Sequence, residues 1–398
     1  MGDDIHEYYD ALVDTVDNEN IISNNVETIR RSLVESESVR SRNGDVLGRL
    51  RANDQSLTEL EIFFHRGGGW WSEDNRGVPY SPAGGGELGW LGYFIGRNNG
   101  LKILTIHAPQ LQQNESIWSR GHLEFFFRGL KRNKSIQHLF LEGMEPNIIG
   151  ELFPVLDLAP FVQNNSSLNK ITIGSCADVD RQVASLLQFA ETVQFVSFHN
   201  VWISNEIFGE VSRSLCMLPQ LERLSLKNVG PRLCAEIAAF LQRNDTNLRS
   251  FELSGGMDGD SINDEGMDIL VPAIASSNTL TELDFNGNQH GEITTRGWQT
   301  LLTLLESPTS NLKILNLAAT ALGDGEALLF ARALANNNGR LKALLLEENS
   351  SLWDVNKRMT AAGRKALLTS VFDVSSFNSL MQSNHTCAVT YEICAPFR

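Results

Sequence analysis

Leu248-Arg-Ser-Phe251-Glu-Leu253 decides the fold, because the chain repeats it: Leu280-Thr-Glu-Leu283-Asp-Phe285 begins 32 residues on, and Leu312-Lys-Ile-Leu315-Asn-Leu317 another 32 after that. A second shared phrase follows the first two strands, Ile262-Asn-Asp-Glu-Gly266-Met-Asp-Ile-Leu270 and Ile293-Thr-Thr-Arg-Gly297-Trp-Gln-Thr-Leu301, and reads as a turn leading into a helix. A strand, turn and helix of this size cannot bury their own apolar face. They have to stack on copies of themselves, and a fixed period of this kind marks a solenoid.

Outward from these three, the same strand pattern recurs at Leu57, Leu101, Ile136, Leu168, Val193, Leu221 and Leu341, which predicts ten strands. Asn-rich turns such as Arg97-Asn98-Asn99-Gly100, Gln163-Asn-Asn-Ser and Ala335-Asn-Asn-Asn precede many of them. Asparagine tolerates left-handed backbone and stops a helix, so each turn closes one layer and opens the next strand. The segments before the turns, such as Glu236 to Leu241 and Ala327 to Leu334, space their apolar residues at i, i+3 and i+4 and predict an outer wall of helices.

The LxxLxL strand followed by Ile-x-Asp-x-Gly and a helix resembles the leucine-rich repeats of ribonuclease-inhibitor type, over roughly residues 44 to 372. The closing run Ser379-Leu-Met-Gln-Ser-Asn-His385-Thr-Cys looks like the degenerate last repeat of many microalgal leucine-rich repeat proteins. The sequence departs from that pattern at Val193, which lacks leucine, and keeps the asparagine usual after the strand only near Asn200, Asn228, Asn288 and Asn349. The resemblance implies an α/β solenoid of horseshoe form, with a parallel sheet on the concave face and helices on the convex face. It also implies a scaffold that binds proteins and supplies no chemistry of its own.

Three regions break the period. Residues 1–43 carry apolar residues at helical spacing (Ile5, Tyr8, Leu12, Val16; then Val26, Ile29, Leu33) among Asp and Glu, and are read as an acidic helical cap or a short recruitment helix. An insertion at 65–86, His65-Arg-Gly-Gly-Gly-Trp70-Trp71 through Tyr80 to Gly86, is read as a loop. Its Trp70, Trp71 and Tyr80 either contact a partner or fold back on the flank. Gly84-Gly-Gly86-Glu-Leu-Gly89 satisfies GxGxxG, yet it leaves a polar loop and places Glu87 where a phosphate would be repelled, so a glycine-rich turn is expected. Residues 373–398 are read as a closing cap whose Ala388-Val-Thr-Tyr-Glu-Ile pairs with the last strand.

The formal net charge of -15 over 398 residues argues against nucleic acid and anionic membrane, both of which reward clustered Lys and Arg. The acidic start, the absence of a long apolar run and five scattered cysteines without CxxC spacing predict a reduced cytoplasmic setting, with the sequons acting as turn chemistry.

Alternation sends the residues between the leucines to the concave face. His107, His138, Phe140, Phe195 and His199 form one candidate partner-binding zone there, and the acidic Glu252, Glu282 and Asp284 form another. The three histidines come from separate layers, too far apart for one metal site. No HExxH, GxSxG or P-loop sequence is present, so neither a cofactor nor catalysis is expected. The reading is a non-enzymatic protein-interaction scaffold. The alternatives from the same fold are a regulator of a partner enzyme, such as a small-GTPase activator, or a ubiquitin-ligase substrate receptor. The partner and the oligomeric state are not encoded in any motif.

Overall fold

The computed structural model describes residues 46–64, 77–82, 85–108, 120–143, 155–176, 179, 181–201, 203–227, 231–243, 246–255, 262–288, 293–336, 340–347, 349 and 359–390. The helices expected before residue 44, the pair Trp70 and Trp71, Asn228 and Cys394 lie outside the described residues. The chain divides into two compact units, Met1–Gln194 with Arg213–Gln220, and Phe195–Ser212 with Leu221–Arg398.

In the first unit the strands β1 (Glu59–Phe63), β2 (Val78–Tyr80), β3 (Ile103–His107), β4 (His138–Glu142) and β5 (Lys170–Cys176) lie in the order β2-β1-β3-β4-β5. In the second, β6 (Phe195–Val201), β7 (Arg223–Lys227), β8 (Ser250–Ser254), β9 (Glu282–Asp284), β10 (Ile314–Asn316), β11 (Ala343–Leu345) and β12 (Ala388–Thr390) follow in chain order. Pairing within each unit is parallel. Parallel neighbours need a crossover between them. Helices supply it: α1 (Gly85–Arg97), α2 (Arg120–Leu130) and α3 (Ala159–Asn164), then α4 (Arg181–Leu187), α5 (Asn205–Cys216) and α6 (Cys234–Leu241). Further along come α7 (Asp264–Ser276), α8 (Thr295–Glu306), α9 (Asp324–Ala335), α10 (Ala361–Val371) and α11 (Phe377–Gln382). This is the α/β leucine-rich repeat solenoid, and all ten predicted strands are present in it.

The register explains why the leucines repeat. Leu60, Leu104, Leu139 and Ile171 pair directly across β1, β3, β4 and β5, and Leu224, Phe251, Leu283, Leu315 and Leu344 do so across β7 to β11. Each of these residues is buried, so every layer closes the apolar face of the one before it. A slip of one residue would turn the whole row outward.

Buried asparagines hold the turns between layers. The Asn133 side-chain amide donates to the Ile95 and Asn98 carbonyls at 2.7 and 3.0 Å, while its oxygen accepts from the N–H groups of Ser135 and Ile136. Asn165 repeats the device one layer on, donating to the Ile136 carbonyl at 3.0 Å. In the second unit, Asn288 and Asn349 sit after their strands and bond the carbonyls of Leu253 and Leu317 in the preceding layer. Asn200, grouped with them by sequence, is instead exposed and left-handed, with φ of 52°.

Carboxylates at the helix starts add a second tie. Asp264, at the first position of α7, accepts from the Thr294 N–H at 2.8 Å, the Thr294 hydroxyl at 2.5 Å and the Gly297 N–H at 3.1 Å, all at the start of α8. Asp324 of α9 treats Thr360 and Gly363 of α10 in the same way. Burial opposes ionisation of Asp264, but the bonds from Thr294 and Gly297 outweigh it and hold its carboxyl below the usual range. The Thr360 hydroxyl does most to hold Asp324 low.

The insertion corrects the expected loop. Residues 78–80 are the edge strand β2, with Val78 opposite Leu60 and Tyr80 opposite Ile62, and helix α1 starts at Gly85 within the stretch read as loop. Pro79 cannot donate to a ladder and so suits an edge. Tyr80 is buried and donates its hydroxyl to the buried Glu87 carboxylate, fixing the strand to α1. Of the two readings for this aromatic, folding back is the one realised. Burial, then the Glu87 charge, raises the Tyr80 phenol well above its usual pKa. Tyr80→Phe leaves the buried carboxylate without this donor and is expected to cost about 2 kcal/mol. Urea denaturation checks it: an unchanged midpoint would mean that the pair contributes nothing. At the other end β12 pairs with β11 as expected, with Val389 opposite Leu344.

Candidate functional site

The residues between the leucines form rows as continuous as the leucine rows. In the first unit one row runs Glu61, Thr105, Phe140, Thr172 and a second runs Phe63, His107, Glu142, Gly174. The leucines between them are buried, so these rows lie on the opposite face of the sheet. Their side chains differ in accessibility. Thr105 and Thr172 are buried between larger neighbours, whereas His138, Phe140, His107 and Glu142 remain half-buried.

His107 is held from three sides. Its Nε2 lies 2.7 Å from Glu61 Oε1, its Nδ1 lies 3.5 Å from Glu142 Oε2, and its ring stacks on Phe63 with centroids 4.2 Å apart. A neutral imidazole can donate to one of these carboxylates and a protonated one to both. The two nitrogens face different carboxylates, so the three side chains do not converge on one point. Among the described residues no group of three or more His, Cys, Asp or Glu has the geometry to hold a metal ion. His138 bonds Thr172 Oγ1 at 2.9 Å and tilts against Phe140 at 4.3 Å between centroids. His107, His138 and Phe140 therefore belong to one patch on β3 and β4.

Phe195 and His199 belong to β6, in the second unit. Phe195 stands opposite Arg223 in register, and both lie on the face away from the leucines. Further along, Ser225, Glu252, Asp284, Asn316 and Leu345 make one row, and Arg223, Ser250, Glu282, Ile314 and Ala343 make the next. The acidic zone predicted from sequence is thus a real neighbourhood on β8 and β9. Lys227 Nζ lies 3.0 Å from Glu252 Oε1 and neutralises part of it. Asp284 accepts from the Asn286 N–H at 2.9 Å and the Asn316 amide at 3.0 Å. Burial raises the Asp284 carboxyl above its usual pKa, the Glu252 charge pushes the same way, and those bonds only partly oppose them.

Alternation in the sequence already places Glu61, Phe63, Glu142, Lys227 and Asn316 on this face, and strand register makes them the setting of His107 and of the acids.

Two thiols are buried. Burial, then the Glu265 charge, pushes the Cys234 thiol up to about 12, and burial pushes Cys387 up to about 11. Among the described residues no helix is long and apolar enough to cross a membrane.

No protein-family model matches the chain, and no curated protein matches it. Among solved structures, the chain is similar to the crystal structure of the Rad7 and Elc1 complex in yeast, with 14% identity over 90% of this chain and 98% of that one, at a TM-score of 0.32. It is also similar to the leucine-rich repeat-containing protein LegL7 from Legionella pneumophila, with 13% identity over 73% of this chain and 91% of that one, at a TM-score of 0.42.

Proposed function

We propose that this chain is a non-enzymatic scaffold of ribonuclease-inhibitor-like repeat type that binds partner proteins on the inter-leucine face of its strands. One observation carries the reading: the leucine rows are wholly buried, while the alternate rows keep half-buried aromatic, imidazole and carboxylate groups, among them Phe140, His107, Glu142 and Asp284, that vary from strand to strand. Such variety on a rigid sheet suits recognition, with the aromatics as anchors and the acids setting orientation and approach. The α-helix on nearly every return supports the repeat type. A reduced intracellular compartment belongs to the same reading, with Cys234 and Cys387 kept as buried thiols.

Affinity capture from cell extract tests the reading. Phe140→Ala combined with Phe195→Ala is expected to cut recovery of the captured partner at least tenfold, the loss of about 1.4 kcal/mol or more of binding. Leu328→Ala, on an exposed position of α9, keeps it. Equal recovery from the double variant would contradict the assignment.

A further inference from the structure

Where no further layer stacks on a repeat layer, a polar outer face normally keeps it soluble. The last described layer is built the other way. Leu368 is 49% exposed, Phe372 59%, Val374 70%, Phe377 76% and Met381 67%, five large apolar side chains within one short stretch of α10, α11 and their connection. The stretch is held in place rather than loose: the Asp373 N–H donates to Ser383 Oγ at 2.7 Å, and the Asn384 N–H donates to the Ser370 carbonyl at 3.2 Å. Next to it, α10 packs against β12, the outermost strand of its unit, with no further strand beyond it among the described residues. Apolar side chains and an open strand edge therefore share one end.

Charge narrows the occupant. Between Leu368 and Met381 the only charged residue is Asp373, in a chain whose formal net charge is -15. Two copies of so acidic a protein repel over most of their surface, and this nearly neutral stretch is where they can meet at least cost. Size agrees. A phenylalanine presents roughly 150–250 Å², so five large side chains this exposed offer several hundred Å², approaching the about 800 Å² per partner of a standard interface. An isologous contact needs one self-complementary patch, and a two-fold axis brings identical edge strands together antiparallel.

We propose that this last described layer is a homodimer interface: two copies of the chain meet through it, Phe372, Phe377 and Met381 packing on their counterparts and β12 facing β12. This assignment is independent of partner binding by the inter-leucine rows. Light scattering behind size exclusion tests it. The wild-type chain at about 100 µM, where a micromolar dimer is saturated, is expected to show twice the 44.2 kDa chain mass. Phe377→Ser with Met381→Ser is expected to raise the dimer dissociation constant at least tenfold. Leu368→Lys, a single change at an exposed helical position, provides the same readout should the double variant fold poorly. A wild-type chain that stays monomeric at that concentration, or a dimer that survives both sets of changes, would overturn the proposal.

Discussion

Gly92→Ala is expected to destabilise the first unit by about 3 kcal/mol or more, the range in which overpacking cannot relax. The backbones of α1 and α2 touch at this residue. A Cβ there would press into the Phe126 carbonyl and lie 2.8 Å from Phe126 Cα, atoms that move only if the whole helix moves. Gly129 is the reciprocal point, its added Cβ falling 2.6 Å from the Tyr93 nitrogen. Pushing α2 away would also strip contacts from Phe126 and Phe127, both fully buried. Gly209→Ala in α5 is the control, since a Cβ there meets nothing within 4 Å. It is expected to stabilise by up to about 1 kcal/mol through helix propensity. Denaturant midpoints for the two variants should move in opposite directions, and a Gly92→Ala protein as stable as wild type would mean that the helices are not in backbone contact.

The second large effect belongs to Asn349. Its side-chain oxygen accepts from the Thr320 N–H at 2.9 Å, the Thr320 hydroxyl at 3.2 Å and the Leu322 N–H at 3.1 Å, and its amide donates to the Leu317 and Leu346 carbonyls at 2.6 and 3.2 Å. Ala319 and Ala321, on either side of Thr320, have φ of 50° and 56°. Left-handed backbone costs an alanine about 1–2 kcal/mol, so the turn persists because Asn349 holds it. Asn349→Ala removes the holder and leaves buried donors and acceptors unmet, at an expected cost of about 4 kcal/mol. Hydrogen exchange at the Thr320 and Leu322 amides should accelerate in the variant. Unchanged protection there would contradict the ladder.

Much of this was legible in the sequence, for a physical reason. A leucine row has to alternate with a period of two along each strand and recur once per layer, and both periods survive in the letters from Leu57 to Leu341. What is set by contact between distant segments left a weaker trace. Gly92 and Gly129 read as indifferent helical glycines until the two helices are brought together. Val78-Pro-Tyr80, inside a Gly- and Pro-rich stretch, resembles loop because its strand is short and lies at an edge. Glu87 was legible as an obstacle to phosphate, while its role as the acceptor for Tyr80 depends on β2 being a strand. At the candidate site the aromatic and acidic residues were legible from alternation. The same alternation puts Glu61, Glu142 and Asn316 on that face, but their contacts with His107 and Asp284 were not legible, because strand register, rather than position along the chain, makes them neighbours.

Site-specific photo-crosslinking tests the role of the inter-leucine rows most directly. A crosslinking residue introduced at position 195 or 282, on the rows, and at position 269 or 328, on exposed helix surface, is exposed in turn to the partner recovered by affinity capture. The reading predicts covalent adducts from 195 and 282 and none from 269 and 328. Adducts from the helix positions alone would contradict it.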